Sequence, residues 1–294
     1  MNWDHARIFL AVARAGQMLA AARNLGLDHA TVTRRLTALE EDLGAKVFAR
    51  RPSGCTLTAV GELFLPIAER MESEMLRAQT LLKDADLRLE GTVRIGAPDA
   101  FGTYFLAPRL PYLAERHPGL VFQLVPLPRT FSLSKREADL AVILDRPQEG
   151  RLFSRKLTDY ALGVYASRDY LARTGPVETT ADLADRTLVT YVQDLAYSAG
   201  LDYMEALAEH AGRRFECASA VGQLEAVRAG GGVGILHEYA AAQQPELVRI
   251  LPDIRFQRTY WLVVHADMRD LRRIAETERF IVDEVKAARA SFNG

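Results

Sequence analysis

Cysteine is scarce in this chain. Cys55 and Cys217 are the two cysteines among 294 residues, and neither stands in a Cys-x-x-Cys spacing. Such a pair supports neither a disulfide framework nor a cysteine-based zinc site, and it suits a reducing compartment. The six histidines are scattered singly, without the spacing of metal ligands. We therefore expect no metal site and no cofactor.

Long apolar runs are also missing. None approaches the roughly 18–20 residues that would span a bilayer, so we expect no membrane segment. The opening stretch "MNWDHARIFLAVARAG" has Asp4 early and no small-residue cleavage site after a long apolar core, unlike a secretory signal. These features predict a cytoplasmic protein. Its length allows about two domains.

Catalytic signatures are few. Neither His-Glu-x-x-His nor Gly-x-Ser-x-Gly occurs. In "SLSK" (132–135), Lys135 has the spacing to activate Ser132, but the companion motifs Ser-Asp-Asn and Lys-Thr-Gly are absent. The run "GGGVG" (230–234) lacks dinucleotide-binding spacing and precedes a strand, so close backbone packing explains it better. We predict that the chain is not an enzyme. Covalent labelling lost in Ser132→Ala would indicate the opposite.

Charge is unevenly distributed along the chain. The net charge is −1, yet the first sixty residues contain eight Lys and Arg and five Asp and Glu, so the remainder is acidic. A basic segment attached to an acidic body is typical of a small polyanion-binding module joined to something else. Chance clustering of surface charge is the alternative.

Three short helices are predicted at the start of the chain. Residues 4–15 have one apolar face and end at Gly16. Residues 18–25 are rich in alanine, which allows another helix to approach closely. Gly26 supplies a turn, and Asp28 is a suitable N-cap for the third helix. Two helices joined by a tight glycine-containing turn are typical of a helix-turn-helix unit.

The third helix has two contrasting faces. One is an apolar stripe with steps of four, three and four: Val32, Leu36, Leu39 and Leu43. The opposite face is small and polar around one long cation: Ala30, Arg34 and Thr37, with Thr31 and Thr33 beside them. Short side chains and hydroxyls suit close approach to a major groove, where an arginine can bind guanine. An ordinary amphipathic surface helix with solvated polar groups is the alternative.

The stretch "KVFARRPSGCTLT" (46–58) is predicted to form strand, turn and strand, with Cys55 as a small buried residue. Such a wing commonly rests on phosphates or in the minor groove. We predict DNA contacts from the third helix and this wing at His29, Ala30, Thr31, Thr33, Arg34, Arg35, Thr37, Arg50, Arg51 and Ser53.

Three segments together resemble the LysR-type transcriptional regulators of bacteria: "FLAVARAGQMLAAARNLGL", "TVTRRLTALEEDLGAKVFARR" and "LTAVGELFLP". The family's Ser-Arg pair stands here as Thr33 and Arg34. Two stretches depart from the family pattern: Gln17, Met18 and Leu19 after the first glycine, and Asp28, His29 and Ala30 at the start of the third helix. The second departure affects the end of the helix that would face DNA, and therefore operator preference.

Residues 59–89 carry a sustained helical apolar stripe that a lone helix cannot bury. Its members are Val60, Phe64, Ile67, Met71, Met75, Ala78, Leu82, Ala85 and Leu89. A partner helix within the chain is one possibility. The resemblance implies the family's linker-helix homodimer, and it allows tetramers. Pro66 lies inside the run and is expected to disturb one backbone hydrogen bond.

Beyond Gly91 short apolar strands alternate with helices, which indicates an α/β fold with mostly parallel strands. Strands are predicted at 92–98, 120–127, 138–144, 160–167, 186–192 and 231–237, with a helix at 103–119 after the first strand. The resemblance implies two lobes joined by crossing strands, as in periplasmic solute-binding proteins. It also implies a closing helix at 268–290.

A small molecule is expected in the cleft between the lobes, at strand ends and helix N-termini. Family members often place hydroxyls after the first strand to hold an anionic effector. Here the stretch is Pro98, Asp99 and Ala100, whose carboxylate would repel an anion unless it points away. Candidate effector contacts are Asp99, Ala100, Thr130, Tyr197, Ser219 and His237; each could instead only pack or cap.

We therefore predict three segments: a winged helix-turn-helix (1–58), a linker and dimerisation helix (59–90) and a two-lobed effector-binding domain (91–294). The predicted function is sequence-specific binding of double-stranded DNA to regulate transcription, modulated by a small-molecule effector. A small-molecule receptor that does not read DNA is the alternative.

Overall fold

The computed structural model of the chain describes residues 2–51, 54–83, 89–126, 138–147, 152–196, 198, 201, 203 and 206–293. The chain divides into two compact units, with the change from one to the other at residues 88 and 89. Residues 267–271 are grouped with the first unit. The segment boundaries predicted after residues 58 and 90 stay predictions. None of the helices described has the length and apolarity needed to cross a membrane.

The described residues of the first unit up to Lys83 form four α-helices and one pair of antiparallel strands. The helices are α1 (Trp3–Ala15), α2 (Met18–Leu25), α3 (His29–Leu43) and α4 (Ala59–Lys83); the strands are β1 (Phe48–Arg51) and β2 (Gly54–Leu57). The predicted three-helix arrangement and wing are both present. Gly16, Gly26 and Gly44 end the first three helices in the left-handed conformation that glycine adopts without steric cost.

The core of this unit lies between α1, α3, the wing and α4. The Phe9 ring is 5.2 Å from that of Phe48 in β1 and 5.0 Å from that of Phe64 in α4. The predicted stripe of α3 faces the same core, with Val32, Leu36 and Leu39 fully buried and Leu43 partly buried. This packing holds the polar face of α3 outward.

Some of the apolar side chains of helix α4 are buried in the core of the first unit, and others are exposed. Phe64 is 6 % exposed, and Met71 packs against the core of the first unit. Other apolar side chains of α4 remain substantially exposed, and we call this set the α4 apolar face: Val60, Leu63, Ile67 and Met75. Pro66 lies within the helix, as predicted. Residues 84–88, including Ala85 of the predicted stripe, lie outside the described residues.

The described residues of the second unit form an eight-stranded sheet. Its strands are β3 (Gly91–Ala97), β4 (Leu120–Pro126), β5 (Leu140–Ile143), β6 (Leu152–Ser167), β7 (Thr187–Thr190), β8 (Arg213–Glu216), β9 (Val233–His237) and β10 (Leu247–His265). The strand order is β4-β3-β5-β10-β6-β9-β7-β8. The long antiparallel pair β6–β10 therefore joins two three-stranded groups, which are the two lobes that the resemblance implied.

The sheet is more mixed than predicted. Four neighbouring pairs of the described strands are parallel and three are antiparallel, because β6 and β10 run against each other and against β9 and β5. Two strands were not predicted, β8 and β10. β8 is an exposed edge strand with the charged sequence RRFE. β10 contains Pro252 at an interruption of its pairing, where the register with β6 shifts between Ile250 and Arg255.

The single helix predicted at 103–119 is wrong. The chain instead forms α5 (Asp99–Phe101), a π-helical turn (Gly102–Leu106) and α6 (Leu110–Arg116). Pro108 and Pro111 lack backbone N–H donors and interrupt a continuous helix. Further along the described residues, the α-helices are α7 (Arg168–Thr174), α8 (Ala220–Arg228), α9 (Glu238–Ala241), α10 (Arg272–Ala287) and α11 (Arg289–Asn293). Helix α10 corresponds to the expected closing helix and contacts β3 and β6.

The glycine run at 230–234 serves packing. A Cβ at Gly232 would lie 2.2 Å from the carbonyl oxygen of Thr187, which is incompatible with any side chain there. This agrees with the interpretation of the run as a place of close backbone approach. Ser132 and Lys135, the catalytic alternative, lie outside the described residues.

Candidate DNA-binding surface and ligand cavity

Helix α3 begins with a well-formed cap. The Asp28 carboxylate accepts a hydrogen bond from the backbone N–H of Thr31 at 2.7 Å and from the Thr31 hydroxyl at 2.8 Å. These bonds hold the pKa of Asp28 below its usual value. The cap therefore fixes the first turn of α3, and it engages the Thr31 hydroxyl that the sequence suggested for DNA.

The outward face of α3 matches the predicted geometry. His29, Ala30 and Arg34 are exposed, and the other predicted contact residues of the helix are partly exposed. Arg35 forms an ion pair with Asp4 of α1, and the Thr33 hydroxyl approaches the sulfur of Met18 at 3.8 Å. Arg34 is thus the long cation at the middle of the exposed face, while Arg35 is held against the protein.

The wing follows α3 directly. Strands β1 and β2 are antiparallel, with Arg51 paired to Gly54 and Arg50 to Cys55. Ser53 and the side chains of Arg50 and Arg51 lie outside the described atoms. The backbone N–H of Cys55 donates to the carbonyl of Gly16 at 2.8 Å, which joins the wing to the turn after α1. Cys55 itself is only partly buried.

In the second unit a cavity of about 300 Å³ brings together four of the predicted effector contacts: Asp99, Ala100, Ser219 and His237. Thr130 and Tyr197 lie outside the described residues. Sequence reasoning missed several polar and aromatic lining residues, namely Tyr160, Tyr191, Tyr203 and Gln223. Their spacing in sequence carries no signal, because they come from separate elements that only the sheet topology brings together.

Asp99 and Ser219 form the polar edge of the cavity. Ser219 is the N-cap of α8, and its hydroxyl oxygen accepts from the backbone N–H of Gly222 at 2.9 Å. The same hydroxyl donates to Oδ2 of Asp99 at 2.5 Å, and the backbone N–H of Val221 donates to that oxygen at 3.2 Å. The carboxylate therefore points toward the amino end of α8.

An aromatic stack forms another wall. Tyr160 lies between two rings: its centroid is 4.0 Å from that of Tyr260 and 5.4 Å from that of His237, and both pairs are nearly parallel. The Tyr239 and Tyr260 hydroxyl oxygens are 3.0 Å apart. Burial lowers the pKa of His237 to about 4, and the negative charge of the nearby Asp99 opposes part of this decrease. At neutral pH His237 is therefore an uncharged imidazole that offers one donor and one acceptor.

A winged helix-turn-helix, together with an α/β unit that holds a ligand-sized cavity, is the architecture of a ligand-responsive DNA-binding regulator. Residues 3–62 match the model for bacterial regulatory helix-turn-helix proteins of the lysR family, and residues 87–286 match the LysR substrate binding domain. The chain belongs to the LysR-type transcriptional regulators, which confirms the resemblance seen in the sequence.

Individual relatives are more distant. The transcriptional regulator PtxR of Pseudomonas aeruginosa is 31 % identical over 184 residues, which cover 63 % of this chain and 59 % of PtxR. The regulator CrgA of Neisseria meningitidis is 27 % identical over 192 residues, covering 65 % of this chain and 64 % of CrgA. The chain thus aligns with about three fifths of the length of these curated relatives.

Solved structures share the fold. A full-length OxyR variant from Pseudomonas aeruginosa gives a TM-score of 0.70 at 19 % identity, covering 97 % of this chain and 98 % of OxyR. Full-length LysG from Corynebacterium glutamicum, with its bound effector Arg, gives 0.68 at 19 % identity, covering 98 % and 99 %. At these identities the likeness shows the fold alone.

Proposed function

We propose that the chain regulates transcription by binding operator DNA through α3 and the wing, as a homodimer, and that a small molecule in the cavity of the second unit modulates this activity. The observation that carries the proposal is the division of α3 into a buried apolar face and an exposed face centred on Arg34. Such a helix is held by its own core while it presents base-reading groups to a major groove.

The composition of the exposed face supports groove binding. Ala30 is small, so the helix can approach the base edges closely. Arg34 is exposed and long enough to reach a guanine, to which its guanidinium can donate two hydrogen bonds. The cap at Asp28 fixes the helix end at which these residues lie.

The α4 apolar face supports dimerisation. Leu63 is 73 % exposed and Ile67 43 % exposed, on a helix of 25 residues. Exposed apolar side chains along one helix are typical of an interface between helices. A second copy of α4 would cover it and give the paired DNA-binding units that a two-fold symmetric operator requires.

The cavity supports modulation by a ligand. It is lined by apolar and aromatic side chains together with convergent polar groups, a combination that small-molecule sites use for affinity and orientation. LysG, which shares this fold, was solved with a bound effector. Regulation then requires only that the ligand bind two states of the protein with different affinity.

The test compares Arg34→Ala with Arg279→Ala by fluorescence anisotropy of labelled DNA from the protein's own upstream region. Arg279 is an exposed arginine on α10 of the second unit, so its substitution removes the same charge elsewhere. Arg34→Ala should lose roughly 1–3 kcal/mol of binding free energy and part of the preference over random DNA. The control should bind like the wild type. Equal affinities for both variants would contradict the assignment of α3.

A further inference from the structure

The amino end of α8 is already occupied by a carboxylate of the protein itself. The first backbone N–H groups of a helix have no partner within the helix, and its positive end favours an anion. In this nine-residue helix the Val221 N–H and the Ser219 hydroxyl both donate to Oδ2 of Asp99. Asp99 comes from the opposite lobe, directly after β3. One lobe thus supplies the anion that the other lobe binds.

The other described residues that line the cavity provide no positive charge to offset the negative charge of an anionic ligand. No described residue that lines the cavity is a lysine or an arginine. The Gln223 amide donates to the carbonyl of Cys217 at 2.7 Å, and so is partly engaged. His237 is neutral at physiological pH because burial lowers its pKa to about 4. A bound carboxylate would therefore lie near the charge of Asp99 without a described countercharge, and like charges in a shielded cavity repel strongly.

The same walls suit a flat uncharged group. Tyr203 and His237 line the cavity beside the buried Tyr160, and aromatic rings pack favourably against one another in offset or edge-on arrangements. Oδ1 of Asp99 takes part in neither of the two bonds to α8, so it is a suitable acceptor for a donor group on the ligand.

We propose that Asp99 acts as a built-in anion at the amino end of α8, so that the cavity selects a small ring compound that carries a hydrogen-bond donor and no negative charge. This inference rests on the proposed role of the cavity as the ligand site. Asp99 sets specificity in two ways: it fills the position that a ligand carboxylate would take, and it repels negative charge from the rest of the cavity.

The test uses benzamide and benzoate, which have nearly the same shape and differ in charge. Isothermal titration calorimetry on the full chain without DNA gives their affinities for the wild type, for Asp99→Ala and for Asp99→Asn. The measured quantity is the affinity for benzoate divided by the affinity for benzamide. Asp99→Ala should raise this ratio at least about tenfold, because it empties the anion position and removes the repelling charge.

Asp99→Asn keeps the test valid if Asp99→Ala fails to fold. Its amide oxygen can still accept from Ser219 and Val221 while the negative charge is lost, so the ratio should rise by less than in Asp99→Ala. Asp182→Ala is the matched control. Asp182 is also a carboxylate that accepts backbone N–H groups in the second unit, but it is exposed and does not line the cavity. Its removal should leave the ratio unchanged.

The proposal is overturned if the ratio in Asp99→Ala equals that of the wild type, or if neither probe binds either protein. DNA binding by the same samples, measured without probes, separates this outcome from failure of the proposed function. If the protein binds operator DNA but the ratio does not change, the proposal about Asp99 fails and the proposed regulatory function stands. A protein whose ratio changes but which never binds DNA is a ligand receptor and not a regulator.

Discussion

The Nζ atom of Lys46 lies 2.7 Å from Oε2 of Glu40, and the other carboxylate oxygen of Glu40 accepts the backbone N–H of Val47 at 3.1 Å. Glu40 is only 4 % exposed although it stands in the acidic turn of α3. The carboxylate therefore connects the end of the proposed recognition helix to the chain that leads into the wing, and it fixes the two elements relative to each other.

Glu40→Ala should destabilise the first unit and weaken DNA binding. The substitution leaves the buried Val47 N–H without its acceptor, which costs about 1–3 kcal/mol. Urea unfolding gives the free energy of unfolding, and anisotropy gives the affinity for DNA. Glu41→Ala is the control, since Glu41 is the exposed neighbour. If the two variants unfold at the same urea concentration, Glu40 does not have this structural role.

Gly54→Ala should disturb the wing. A Cβ at Gly54 would lie 2.6 Å from the carbonyl oxygen of Gly16, and the residue has φ of +135°, which side chains rarely adopt. We expect a loss of about 1–3 kcal/mol in stability. Thermal unfolding measures the loss, and Ala49→Gly in β1 is a comparison that changes the wing backbone without a clash. A melting temperature equal to that of the wild type would contradict the prediction, because it would show that the wing can move away from the Gly16 carbonyl oxygen without loss of stability.

Ile67→Asp should weaken the dimer. A charge in the middle of the α4 apolar face would lose its hydration if a second copy covered it, and a buried unpaired charge is strongly unfavourable. Size-exclusion chromatography with light scattering should show a shift from dimer toward monomer at a given concentration. Arg279→Asp introduces the same group on an exposed part of α10 and should leave the mass unchanged. A fully dimeric Ile67→Asp protein would place the interface elsewhere.

Stability should fall as the pH is lowered because of His237. Its folded pKa is about 4, whereas an unfolded histidine has a pKa of 6.5. The unfolded state therefore binds a proton first as the pH falls, so the stability associated with neutral His237 is complete above pH 6.5 and is lost as the pH falls toward 4.

The comparison is between the wild type and His237→Gln, by urea unfolding at pH 7 and pH 5. The stability difference between the two proteins should change by about 1–2 kcal/mol over this range, to the disadvantage of the wild type. His210→Gln, at a partly exposed position of the same unit, is the control substitution. A difference that does not depend on pH would contradict the burial of a neutral His237.

The sequence was most informative where structure is local. Helices α1, α2 and α3 follow from apolar spacing and from caps such as Asp28, which involve residues within a few positions of one another. Strands β8 and β10 escaped prediction for a physical reason. Arg249 and Arg255 leave a mixed polar pattern on β10, while β8 buries no side chain and has no apolar alternation to detect.

In the cavity, too, local features could be predicted from the sequence and long-range contacts could not. Asp99, Ser219 and His237 could be nominated because each stands next to a predicted strand or helix. The direction of Asp99 could not be predicted, since its partner Ser219 is distant in sequence and only the crossing strands bring the lobes together. Tyr160 likewise lies within a strand and enters the cavity wall through the twist and pairing of the sheet.

The most direct test of the central claim is fluorescence anisotropy of DNA from the protein's own upstream region against random DNA, across a salt series. Tight binding that prefers the upstream DNA, with an affinity that falls steeply as salt rises, is the result expected of a regulator that reads an operator through arginines and phosphate contacts. No binding to either DNA, even at low salt, would contradict the assignment of the first unit as a DNA-reading module.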